Sequence, residues 1–97
     1  MTYKEEIAQP GVVLVEFYAS WCPHCRKMMP VVEQVKNLLT DRARVAQYDI
    51  DACEADADAA KVEVVPTFII YKDSAEKWRH SGEISADDLI SEVEKVL

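Results

Sequence analysis

Ninety-seven residues suit one small domain, residues 1–97, which buries roughly 60 to 70% of the surface its unfolded chain exposes and needs no disulfide staples. A hydrophobic content of 49% with two Gly and four Pro excludes a disordered or low-complexity chain. The net charge of −7 argues against nucleic acid as a partner, because phosphate binding needs a larger basic patch than Arg26-Lys27, and it favours a monomer. No segment approaches a membrane span, and residues 1–7 lack the apolar core of a signal peptide. The expectation is therefore no membrane partner and a cytoplasmic location, although a chain whose leader had been removed would look the same.

In chain order, the apolar run at residues 12–18 suits a strand covered on both faces. Met28, Val31, Val32, Val35, Leu38 and Leu39 fall at helical spacing between Pro23 and about Thr40. Pro23 fits the first turn of that helix, and Pro30, inside it, is expected to bend it. Residues 45–50 form a second strand. Asp51 is placed to cap an acidic, Ala-rich helix from about Cys53 to Lys61. A third strand covers residues 64–71, with Pro66 near its start. A turn at residues 72–75 leads to a polar antiparallel edge strand around residues 77–80. Ser85 and Asp88 resemble a capping box for a last helix, whose Leu89, Ile90, Val93, Val96 and Leu97 face the core. The order β-α-β, α, β-β-α gives an α/β fold: a four-stranded mixed sheet with helices on both faces.

The chemistry-bearing feature is Cys22-Pro23-His24-Cys25, at the junction of the first strand and the long helix. A cysteine at a helix N-terminus faces unpaired N–H groups and the positive end of the dipole, which lower its pKa. A second cysteine one turn away is near enough to attack a mixed disulfide formed at the first. Three cysteines, an odd number, point to redox or metal chemistry rather than a disulfide framework. Zinc would require Cys53 and His80 to complete the pair from distant segments, so no metal is expected. Glu16 is the one charge inside the apolar run. It is either buried for a purpose or reaches solvent from the strand end.

Residues 15–25, Pro30, Ile50-Asp51, Val65-Pro66-Thr67-Phe68 and Gly82 together resemble the thioredoxin family over nearly the whole chain. The N-terminal part is about ten residues shorter than in the longer thioredoxins, so the first edge strand is expected to be absent and residues 3–8 to form only a short helix. The resemblance implies a thiol-disulfide oxidoreductase with Cys22 attacking and Cys25 resolving, and Glu16 exchanging a proton with Cys25. It implies a cis bond before Pro66, and a docking patch of Trp21, Pro23, Val65, Pro66 and Gly82. It further implies disulfide-containing protein substrates, regeneration by a flavin-dependent reductase or glutathione, and no cofactor beyond the cysteine pair. Two departures stand out. Pro23-His24 replaces the usual Gly-Pro, so that an imidazole at Cys22 would stabilise the thiolate and make the potential more oxidising. Gln47 stands where many relatives carry a lysine beside the buried acid. A redox-gated binding module without turnover is the alternative reading, and a glutaredoxin-like enzyme is disfavoured by the aromatic run at residues 17–21.

Overall fold

The computed structural model describes residues 1–97. Helix α1 (Tyr3–Ala8) opens with a capping box in which Thr2 Oγ1 accepts the Glu5 N–H and Glu5 accepts the Thr2 N–H. Strand β1 (Val12–Tyr18) leads to α2 (Pro23–Leu38), β2 (Arg44–Asp49), α3 (Glu54–Ala59), β3 (Thr67–Lys72), β4 (Ala75–Ser81) and α4 (Ala86–Glu94). The sheet order is β2-β1-β3-β4, with β1 parallel to β2 and the remaining pairs antiparallel. This is the thioredoxin fold, with four strands.

Strand β1 is central and covered on both faces, and its period of two sorts the core. Val12 and Leu14 pack with Met28, Val32 and Val35 of α2 and with Leu89 and Val93 of α4. Val13, Val15 and Phe17 pack with Tyr3 of α1 and with Ala57 and Ala60 beneath α3. Each fully buried Val, Leu or Phe side chain contributes about 1.5 to 3 kcal/mol relative to exposure. The same alternation places Glu16 with Val12 and Leu14 on the α2 face of the strand.

The β3–β4 connection is a two-residue hairpin in which Asp73 and Ser74 both have positive φ, 50° and 74°. That backbone matches the twist of the strands it joins. Asp73 also ties the hairpin to the start of β1, its carboxylate accepting the Gly11 N–H at 2.8 Å.

Several boundaries differ from those expected. Asp51 does not cap α3: Cys53 occupies the N-cap without a side-chain hydrogen bond, because the Asp51 carboxylate is engaged by the Trp21 indole. Strand β3 starts at Thr67 rather than residue 64, and the Val65-Pro66 peptide before it is cis. Strand β4 is longer than the polar pattern indicated, because edge pairing depends on backbone rather than on apolar side chains. Only half of the capping box at Ser85 forms, with Ser85 Oγ accepting the Asp88 N–H at 3.1 Å. Leu97 is 46% exposed instead of facing the core, as it lies beyond the end of α4. Pro30 lies inside α2, where it was expected. No helix is long and apolar enough to cross a membrane.

Candidate active site

Cys22 is the N-cap residue of α2, with extended backbone and Pro23 at the first helical position, where a missing N–H costs nothing. Its sulfur accepts the Cys25 N–H at 3.4 Å and lies 3.8 Å from the Val65 carbonyl oxygen. Desolvation pushes the Cys22 thiol up. Hydrogen bonds from the Cys25 thiol and from the Cys25 and His24 backbone, with the nearby Arg26 charge, outweigh it and hold the thiol below its ordinary value. Burial, with the Cys22 sulfur and the Glu16 carboxylate adding to it, pushes the Cys25 thiol up to about 12. Two cysteines one helical turn apart thus differ in kind: the Cys22 thiol is held low and the Cys25 thiol high.

Glu16 is 2% exposed, which decides between the two readings of that residue: it is buried. Burial raises its carboxyl to about 6, against a hydrogen bond at 2.9 Å from the Gln47 side-chain amide that pulls it down. Its charge is felt at Cys25, as its place on the α2 face of β1 requires.

The His24 side chain bonds across the fold. Its Nδ1 lies 2.6 Å from Glu83 Oε2, in a hydrogen bond donated by the imidazole, and Glu83 is held below the usual carboxylate range by that bond. The part of His24 that bears on Cys22 is its backbone N–H, which helps to hold the thiol down. Glu83 was not legible as a partner, because it is 59 residues distant in sequence and carries no periodic signal.

The expected docking residues divide. Trp21, Pro23 and Val65 line one groove of about 650 Å³ beside Cys22. Trp21 is 61% exposed, and its indole N–H donates to Asp51 Oδ2 at 2.9 Å. Pro66 is buried below the groove. Gly82, at φ 102°, donates its N–H to the Pro66 carbonyl at 2.8 Å, buttressing that turn without lining the groove. A positive φ favours glycine here. The far wall of the groove, formed by α3 and residues 62–64, went unnoticed in the sequence because its members share no motif. Cys53 is half-buried, and Tyr48 packs against Phe17 and Tyr3, consistent with simple packing roles.

The thioredoxin family model matches residues 1–95. The chain belongs to the thioredoxin family. It is 36% identical over 85 residues to the chloroplastic thioredoxin Y of Oryza sativa, a match covering 88% of this chain and 51% of that protein. It is 34% identical over 85 residues to a thioredoxin of Chlamydia trachomatis, covering 88% of this chain and 82% of the relative. Among solved structures, a mutant thioredoxin of Halobacterium salinarum superposes with a TM-score of 0.84 at 33% identity, covering 95% of this chain and 80% of that one. The chain spans about half the length of the plant thioredoxins Y that it matches.

Proposed function

We propose that this chain is a thiol-disulfide oxidoreductase that exchanges disulfides with protein substrates through a Cys22/Cys25 dithiol cycle. The observation that carries the reading is the split between the two thiols: Cys22 held low at a helix N-terminus, and Cys25 pushed to about 12 one turn inside. Family membership supports the same chemistry.

In the reductive direction the Cys22 thiolate attacks one sulfur of a substrate disulfide. The substrate S–S bond breaks, a mixed disulfide forms, and the departing sulfur leaves as a thiolate that takes a proton from solvent. Cys25 then gives its proton, relayed by water, to Glu16, whose raised pKa leaves it ionised but basic near neutrality. Neutralising Glu16 also removes one of the charges that hold the Cys25 thiol up. The Cys25 thiolate attacks Cys22 Sγ, the mixed disulfide breaks, and the second substrate sulfur leaves. Two electrons have passed to the substrate, and Cys22–Cys25 is a disulfide. A flavin-dependent thioredoxin reductase or the glutathione pool restores the dithiol, and no other cofactor is needed.

The test is insulin reduction driven by dithiothreitol, run beside capture of partners by reduced, oxidised and Cys22→Ala protein. Catalysed reduction that is lost with Cys22 supports the oxidoreductase. Equal capture by all three forms with negligible reduction overturns it in favour of a binding module.

A further inference from the structure

The oxidoreductase reading, on which this inference rests, leaves open which disulfides Cys22 attacks. The groove beside Cys22 supplies a criterion. Asp51, Glu54, Asp58 and Glu63 line it, together with Trp21, Val62 and Val64, and no Lys or Arg does. Its only other ionisable nitrogen, on His24, is bonded to Glu83, which lies outside the groove. Glu54, Asp58 and Glu63 are exposed and make no ion pair or side-chain hydrogen bond, and Asp51 is neutralised by no cation. Arg26, whose charge acts on the Cys22 thiol, stands on α2 outside the groove.

Backbone geometry says how a substrate would lie there. The Val65 N–H has no partner within the chain, and Val65 lines the groove next to the Cys22 sulfur. An extended segment can pair with that N–H as a short added strand, bringing its own cysteine to Cys22. Side chains alternating along it then meet the apolar surface of Trp21 and Val64 and the carboxylates opposite.

We propose that the groove makes this protein selective for disulfides whose cysteine lies in an extended segment bearing Lys or Arg, with Glu54, Asp58 and Glu63 as the specificity-determining residues. The carboxylates do not create the site, which is the thiol and its groove. They decide its occupant by charge complementarity, raising the encounter rate of cationic segments and disfavouring acidic ones.

The experiment uses three peptides of equal length, each carrying its cysteine in the same mixed disulfide with a chromogenic thiol and differing only in flanking Lys, Gln or Glu. Single-turnover rates of the fully reduced protein are measured by stopped flow, so no reductase is required. At low salt the Lys peptide reacts about tenfold faster than the Glu peptide, and the ratio falls toward one near ~0.3 M salt as screening sets in. In Glu54→Gln/Asp58→Gln/Glu63→Gln protein the ratio collapses at low salt as well. Glu63→Gln alone, outside any helix, lowers it partially and guards against a folding defect in α3. Equal rates for the three peptides, or a ratio that survives in the triple variant, overturn the proposal while leaving the oxidoreductase standing. Failure to reduce any of the three overturns both.

Discussion

The Gln47 side-chain amide donates to Glu16 Oε1 at 2.9 Å across the β1–β2 ladder, where the two residues are direct register partners. A neutral donor at this point relieves the buried carboxylate without fixing its charge. An amide bonds the ionised acid, lowering its pKa only in part, whereas desolvation still dominates and leaves the group near 6. Glu16 is thereby able to change protonation state in the range where a proton acceptor is useful.

That arrangement costs stability, and the sign can be worked out. The folded-state pKa of Glu16 is about 6, against an ordinary 4.5, so folding favours its protonated form. Its contribution is favourable below pH ~4.5 and is lost as pH rises through 6. At 1.36 kcal/mol per pH unit, the loss is about 2 kcal/mol by neutral pH. Glu16→Gln keeps the shape and hydrogen-bonding capacity without the charge. It is expected to be more stable than the parent by up to about 2 kcal/mol at pH 7 and equally stable at pH 4, as read from denaturant unfolding at both pH values. Its reductase rate should fall by about 10²-fold, the lower end for loss of a proton-transfer group.

Alkylation distinguishes the two active-site thiols. With Cys22 held below its ordinary pKa and Cys25 pushed to about 12, iodoacetamide at neutral pH should modify Cys22 and leave Cys25 intact, as read by peptide mass mapping. Equal labelling of the two would show that burial and the helix terminus do not separate them. Arg26→Gln should slow labelling of Cys22 at that pH, because it removes a cation that favours the thiolate.

Trp21 is exposed yet held in place by Asp51, so under the proposed function it would offer a substrate a fixed apolar surface at small entropic cost. Trp21→Ala should lower kcat/KM for a protein disulfide about tenfold, mainly through KM, while changing unfolding stability by less than about 0.5 kcal/mol. A loss seen equally with dithiothreitol as the reducing partner would place the effect on the thiols rather than on docking.

Much of this was legible in the residues, for reasons that also explain the gaps. Residues 12–18 and the helix after Pro23 announce themselves because burial imposes a period, and the same pattern singles out Glu16 as the charge that does not belong. Cys22 and Cys25 follow from their spacing at a strand–helix junction. The errors lie where side chains make pairwise choices that no period records. Asp51 reads as a helix cap but bonds Trp21, and the bond from His24 to Glu83 joins residues that no sequence pattern links. Strand β4 carries few apolar residues, so only pairing with β3 defines its length. The acidic wall of the groove combines α3 with the loop before Pro66, a juxtaposition that exists only once the sheet has formed.

The division of labour between the two thiols is tested most directly by Cys25→Ser. Incubated in reduced form with a disulfide-containing protein such as insulin, it should accumulate a covalent adduct through Cys22, seen by non-reducing electrophoresis and intact mass, with steady-state turnover nearly abolished. Normal turnover without an adduct would contradict the dithiol cycle, and an adduct through Cys53 would contradict the assignment of the nucleophile.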